Sequence, residues 1–222
     1  MTDYERLVVE TREHIASTLA AYSNPMVAYS GGKDGLVAMY LVNEARPGTV
    51  GVCELSFNFA QQTADIRETA KRLGFNIVFK ISHDWLWLSK HKEFVFNTDT
   101  KVRAKSFLLR QQKTIKDYAK QNNHDLVIFG RRKQENSVKA MLYPAHGRTQ
   151  YHPLREWRVE DVWRFLASVG IDKPWVYTTS RGELQGNGPF YSLRPEHFGG
   201  VEGAWSYCHT IDPTIHPSRL EP

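Results

Sequence analysis

A chain of 222 residues can bury the core of one large α/β domain, or of one domain with a small appendage. Apolar residues at 41% and charged residues at 24% exclude a disordered chain, and Cys53 and Cys208, the two cysteines, exclude a disulfide framework and a Cys-x-x-Cys metal or redox pair. The formal charge of +5 suits a polyanionic ligand and equally suits ordinary solubilising charge.

Met1 to Arg6 is charged and lacks the apolar core of a signal peptide, and no run of about 18 apolar residues occurs, so a cytoplasmic protein without a membrane segment is expected. Between Asp3 and Ala21, Leu7, Val8, Thr11, Ile15 and Leu19 recur at helical spacing and predict an amphipathic helix. Met26 to Tyr29 then reads as a short apolar strand. It runs into Ser30-Gly31-Gly32-Lys33-Asp34-Gly35, after which Leu36, Met39, Tyr40 and Asn43 follow one another around a helix. A strand, tight loop and helix in that order leave N–H groups unpaired at the helix start, where the helix dipole also favours an anion. Gly31 and Gly32 allow positive φ and close approach of a ligand; Ser30 adds a hydroxyl and Lys33 a mobile cation.

Arg46-Pro47-Gly48 marks a turn, Thr49 to Leu55 a buried second strand, Gln61 to Leu73 a helix closed by Gly74, and Asn76 to Phe79 a third strand. His83 to Phe96 is apolar without a single period and predicts an irregular or helical lid. Lys101 to Gln121 predicts one long helix, with Val102, Phe107, Leu108, Ile115 and Tyr118 inward and Lys101, Arg103, Lys105, Arg110, Lys113 and Lys116 outward. That charged face is either simply solvated or a contact for a polyanion. Asp125 to Phe129 is a fourth buried strand, ending in Gly130-Arg131-Arg132-Lys133-Gln134-Glu135-Asn136. Alternating β and α elements predict a doubly wound, mostly parallel sheet with helices on both faces. With strand order 3-2-1-4, the loop at Ser30 to Gly35 would face the loop at Gly130 to Asn136 across the switch point where such sheets bind ligands. From Tyr143 on the chain is less regular. Val159 to Ser168 still predicts a helix closed by Gly170, and the glycines and prolines after Thr178 predict an irregular cap. The expected division is a domain over 1–170, including the helix at 3–21, and a loop-rich tail over 171–222.

Three stretches together narrow the chemistry. Ser30-Gly31-Gly32-Lys33-Asp34-Gly35 closely resembles the pyrophosphate-binding PP-loop, usually Ser-Gly-Gly-x-Asp-Ser, of the ATP pyrophosphatase superfamily, and within it the phosphoadenosine-phosphosulfate (PAPS) reductase-like family. Gly35 stands where the family has serine. Gly130-x-Arg132-x-x-Glu135-Asn136 is similar to the family's Gly-x-Arg-x-x-Glu-Ser, with Asn136 in place of serine; a fork-shaped guanidinium can grip phosphate, and Glu135 can hold it or contact ribose or metal. Pro153-Leu154 with Trp157 and Asp161-Val162-Trp163 matches a third family segment, in which Trp157 and Trp163 read as core.

The resemblance implies an adenine nucleotide alpha hydrolase-like (HUP-type) fold and an ATP pyrophosphatase-type enzyme that cleaves between the α and β phosphates. It implies ATP held by Ser30, Gly31, Gly32, Lys33, Asp34, Gly35, Gly130, Arg132 and Glu135, Mg²⁺ brought in on the phosphates with Asp34 as its protein ligand, and Lys33, Asp34 and Arg132 as the residues that act on the reacting phosphate. It admits a nucleic acid or a sulfur-donor protein as partner, and a homo-oligomer as the assembly. Two alternatives stand beside it: an adenylyl-sulfate or PAPS reductase that uses Cys208, where the flanking Trp205-Ser206-Tyr207-Cys208-His209 departs from the family's redox motif, and a non-catalytic nucleotide-binding module.

Overall fold

The computed structural model describes residues 1–55, 58–91, 99–134, 138, 140–145, 147–178 and 198–214. Helix α1 (Asp3–Ala20) opens on a capping box in which Thr2 and Glu5 satisfy each other's backbone N–H groups. It leads into β1 (Pro25–Ala28), α2 (Lys33–Ala45), β2 (Val50–Leu55), α3 (Ala60–Arg72) and β3 (Asn76–Ile81). Next come α4 (His83–Lys90), α5 (Thr100–Phe107), a π-helix (Leu108–Thr114), α6 (Ile115–Gln121) and β4 (Leu126–Phe129). The described part closes with β5 (Leu142–Ala145), β6 (Arg148–Tyr151), α7 (Val159–Ser168), a 3₁₀ turn (Trp175–Tyr177) and α8 (Val201–Ile211).

Six strands form one sheet in the order β3-β2-β1-β4-β6-β5, which contains the expected 3-2-1-4. β1 lies at its centre, with Met26 beside Val50 of β2 on one side and beside Val127 of β4 on the other, both parallel. Apolar side chains fill these inner strands because a parallel sheet is covered on both faces. The outer hairpin is a correction: residues expected to be irregular form β6, parallel to β4, and β5, antiparallel to β6. Two features hide it in the sequence. Arg148-Thr149-Gln150 is polar, and Pro144 lies within β5, where only an edge strand tolerates the missing N–H.

The chain falls into two compact units, each discontinuous in sequence. The first comprises Met1–Cys53, Ala70–Val78 and Tyr118–Lys173. Its core is built from Met26 and Val27 of β1, Leu36, Val37, Met39 and Leu41 of α2, Ile128 of β4, and Phe165 and Leu166 of α7. Trp157 is fully buried there, edge-on to Phe165, and its indole N–H donates to Thr11 Oγ1 at 2.9 Å, so the ring is packed and its one polar atom satisfied. Trp163 is half-buried, with the Lys173 ammonium 5.5 Å from its ring centre.

The second unit comprises Glu54–Thr69, Phe79–Asp117 and Pro174–Pro222. Its apolar cluster joins Phe59, Leu88 of α4, and Ala204 and Cys208 of α8, flanked by Trp85, Trp87, Trp175, Phe198 and Trp205. The stretch expected as a lid is therefore ordered helix over its first eight residues, started by Ser82, whose hydroxyl accepts from Asp84 N–H at 3.2 Å; residues 92–98 lie outside the described set. Helix α8, by contrast, was not expected. Its C-cap residue Asp212 ties it to α3 by accepting the Ala60 N–H at 2.8 Å.

The long helix expected over Lys101 to Gln121 is three segments, and its inward face differs from the expected one. Phe107 and Leu108 are exposed, whereas Arg110 is buried. The buried positions Ser106, Arg110, Ile115 and Ala119 are spaced four, five and four residues apart, because the wider π turn shifts the helical phase by one residue. What that face meets is polar: Ser106 Oγ donates to Asp84 Oδ2 at 3.1 Å, and Arg110 Nε lies 3.7 Å from Glu54 Oε1. No helix among the described residues is long and apolar enough to cross a membrane.

Candidate functional site

The loop between β1 and α2 takes its shape from two glycines. β1 leaves the sheet once the Tyr29 N–H has donated to Val52 O at 2.9 Å, and Gly31 then turns the chain with φ of 75°, a left-handed conformation that a side chain would strain. Gly32 is the N-cap of α2 and offers no side-chain cap. The helix ladder starts with Leu36 N–H donating to Gly32 O at 2.9 Å. The N–H groups of the first turn before it have no acceptor within the helix, and they lie at the positive end of its dipole. A helix start of this kind, without a side-chain cap, is the arrangement at which anions are commonly bound.

The chain leaving β4 presses directly against this turn. A Cβ on Gly130 would lie 2.4 Å from Asp34 O, 2.5 Å from its carbonyl carbon and 2.7 Å from Gly35 N, so only glycine lets the two backbones pass. Strand order thus sets the two predicted loops against each other, as the switch-point geometry requires. Two residues on, Arg132 is 4% exposed and its Nε donates to Asp34 Oδ1 at 2.6 Å. Lys33 Nζ donates to Asp34 Oδ2 at 2.7 Å. The carboxylate therefore sits between an ammonium and a guanidinium, and the trio carries a net charge of +1.

Gly35 is a different kind of glycine. A Cβ there would meet Ser30 N at 3.5 Å, Ser30 Oγ at 3.6 Å and the Tyr29 ring at 3.6 Å, all ordinary contacts, so a serine would fit where this chain has none. Glu135 and Asn136 lie outside the described residues. Ser30, Gly31, Gly32, Lys33, Asp34, Gly35, Gly130 and Arg132 are brought together within one unit of the fold.

Sequence reasoning did not single out His152, which directly follows β6. Its ring is fully buried and stacks between Phe129, at the end of β4, and Tyr143 of β5, with centroids 5.6 Å away on either side. Tyr143 Oη donates to Gln150 Oε1 at 3.0 Å, so His152 Nε2–H donates to Tyr143 Oη at 3.3 Å and Nδ1 keeps its lone pair, buried without a partner. Burial, reinforced by the Arg131 guanidinium, pushes the imidazole down to about 4 and keeps it neutral. The Arg131 guanidinium lies 4.8 Å from the Phe129 ring centre. The sequence carried no signal for it, because the strand that places this histidine is itself polar and hidden in the sequence.

Asp34 fits a magnesium ion poorly, because each of its oxygens already accepts from a cation, and among the described residues no group of three His, Cys, Asp or Glu could hold a metal by protein ligands alone. Cys208 is also poorly placed for chemistry. It is fully buried in α8, and burial together with the nearby Asp212 carboxylate pushes its thiol up to about 12. Two clefts of about 400 and 460 Å³ lie at the other end of the strands, where β1, β2, β3, β4 and β6 begin, and neither includes the glycine loop.

The family model described as phosphoadenosine phosphosulfate reductase domain matches residues 24–180. Over 217 residues the chain is 21% identical to sulfate adenylyltransferase subunit 2 of Sulfurovum sp. (strain NBC37-1), covering 83% of this chain and 70% of that protein. Against sulfate adenylyltransferase subunit 2 of Aeromonas salmonicida (strain A449) it is 21% identical over 222 residues, covering 85% and 70%. Among solved structures, phosphoadenylyl-sulfate (PAPS) reductase from Candida auris, a phosphate complex, superposes with a TM-score of 0.61 at 14% identity, covering 78% of this chain and 90% of that one. NMN synthetase from Francisella tularensis does so with a TM-score of 0.61 at 16% identity, covering 99% and 92%. At these identities the two structures show a shared fold, the mostly parallel α/β arrangement of HUP type.

Proposed function

The chain belongs to the phosphoadenosine phosphosulfate reductase domain family, and from that premise we propose that it is an ATP pyrophosphatase-type enzyme, which binds ATP at Ser30 to Gly35 and cleaves it between the α and β phosphates. The observation that carries this proposal is the seating of the Gly130 backbone on Asp34 and Gly35, which brings Arg132 to the uncapped start of α2.

In the proposed reaction an acceptor oxygen attacks the α phosphorus. The bond from that phosphorus to the oxygen bridging to the β phosphate breaks, and pyrophosphate leaves with the electron pair. An adenylylated acceptor remains, or AMP where the acceptor is water. The first-turn N–H groups of α2 bind the leaving pyrophosphate, and Lys33 and Arg132 offset the charge that grows on it. Magnesium carried on the phosphates would supply further neutralisation.

The names of the two relatives, each a sulfate adenylyltransferase subunit 2, support adenylyl transfer and a partner protein. A nucleic-acid acceptor with a sulfur-donor protein is the other form of this proposal. Exposed Lys101, Arg103 and Lys105 on α5 support it. The burial of Cys208 speaks against a thiol-dependent reductase.

The test is incubation with α-labelled ATP and magnesium, alone and with sulfate, DNA or tRNA. Labelled AMP or a labelled acceptor, with pyrophosphate, is the expected outcome. Labelled ADP with phosphate overturns the proposed cleavage, and tight binding without any product makes the protein a nucleotide-binding module. Lys33→Ala should weaken ATP binding by about 1–3 kcal/mol, the scale of a lost charge-assisted contact; unchanged affinity would place the nucleotide elsewhere.

A further inference from the structure

A site for polyphosphate gains from cations and N–H donors, and a carboxylate at a helix start competes with the phosphate for both. Asp34 is thus the component that needs its own account. Its two oxygens are engaged separately, Oδ1 by Arg132 Nε at 2.6 Å and Oδ2 by Lys33 Nζ at 2.7 Å, the short distances expected of charge-assisted bonds. A magnesium ion on either oxygen, at about 2.0–2.1 Å, would stand beside a cation already bound to that oxygen. Arg132 is 4% exposed, so its ion pair with Asp34 is buried, where removing one member of a pair is costly. The Asp34 backbone is held as well, since the close passage of Gly130 fixes the carbonyl next to the Cα that bears the side chain. Two elements, the first turn of α2 and the loop after β4, therefore converge on one carboxylate.

We propose that Asp34 is a positioning residue, not a metal ligand: its carboxylate holds the Lys33 ammonium and the Arg132 guanidinium as one preset pair that the phosphates of ATP meet ready-formed. The pair is assembled before the nucleotide arrives, so no ordering of two long side chains is left to the binding step. The carboxylate also tempers the local charge to +1, which limits ground-state binding while keeping both cations placed for the charge that develops on the leaving pyrophosphate.

This inference rests on the ATP-binding proposal for its nucleotide arms, and one arm of its test is free of nucleotide. Asp34→Asn keeps the shape of the side chain and removes its charge. Calorimetry in EDTA should give ATP affinity equal to that of the parent or up to about tenfold tighter, because the loop becomes more cationic. The magnesium concentration for half-maximal turnover should stay within about twofold, and kcat should fall at least tenfold with KM unchanged or lower, whereas Asp34→Glu should recover part of kcat. A tenfold or larger rise in the half-saturating magnesium concentration, with EDTA binding unchanged, would make Asp34 the metal ligand and overturn the proposal. Without nucleotide, a double-mutant cycle of Asp34→Asn and Arg132→Gln should show at least tenfold coupling in the unfolding equilibrium constant. Independent effects in that cycle would also overturn it. If the parent binds no ATP, the functional proposal fails and the cycle alone decides the pairing.

Discussion

Gly130→Ala tests most directly whether the two loops meet. The added methyl would sit 2.4 Å from Asp34 O, 2.5 Å from Asp34 C and 2.7 Å from Gly35 N. Carbon contacts are comfortable from about 3.5 Å, so one backbone must retreat by roughly 1 Å. Neither has a flexible side chain to yield, since both sides are main chain. Overpacking commonly costs about 1–3 kcal/mol, and with backbone on both sides the top of that range, ~3 kcal/mol, is expected here. The same displacement moves Arg132 away from the start of α2, and a 1 Å misplacement can cost about a hundredfold in function. Gly35→Ser is the matched control. Its Cβ meets nothing closer than 3.5 Å, so stability should change by no more than about 0.5 kcal/mol. The new hydroxyl adds a donor beside Ser30 and should tighten ATP binding severalfold. Urea unfolding followed by the fluorescence of the six tryptophans, with calorimetric ATP titration, reads both variants. A Gly130→Ala protein as stable as its parent and binding ATP equally would refute the proximity of the loops. A Gly35→Ser protein as damaged as Gly130→Ala would refute the space.

Two further predictions concern buried groups. Burial, partly offset by Arg110, raises Asp84 from its ordinary 3.8 to about 6, so its ionisation opposes folding: stability from this group is greatest below pH 3.8 and falls as pH rises through about 6. His152 runs the other way. It is depressed from 6.5 to about 4, so its share of stability is present above pH 6.5 and is lost as pH falls through about 4. Each amounts to ~3 kcal/mol at most, and they offset each other between about pH 4 and 6. Asp84→Asn should therefore raise the urea midpoint at pH 7 and steepen the loss of stability on acidification to pH 4.5; a profile parallel to the parent's would refute the assignment. For the cysteines, both are buried and the Cys208 thiol is pushed up to about 12, so the native protein should resist iodoacetamide at pH 7 while the urea-unfolded chain reacts at two sites. Cys208→Ser should leave ATP turnover unchanged. Rapid alkylation of the native protein, or loss of turnover in that variant, would return the reductase alternative.

Local pattern made much of this protein legible. Glycines and helical spacing in one short stretch placed the loop between β1 and α2, continuous apolar runs placed β2 and β4, and the periodicity from Val159 to Ser168 matched α7 residue for residue. These features are encoded within a turn or a strand length, where spacing and backbone preference act. The same locality set the limits. Arg148-Thr149-Gln150 gives no apolar signal, and becomes a strand because β4 offers a parallel edge to pair with. Arg110 carries a charge that by itself belongs in water, and a π turn rotates it inward to Glu54 and toward the charge of Asp84. Asp34, expected as a metal ligand, is met by Arg132, which comes from 98 residues away and which local pattern could not pair with it. By itself, the sequence determined that a glycine loop joins a buried strand to a helix start, and where it lies in the chain. The tertiary structure decided which charges share that loop, because a buried ion pair depends on which distant backbones can approach closely, and here that approach turns on the missing side chain of Gly130.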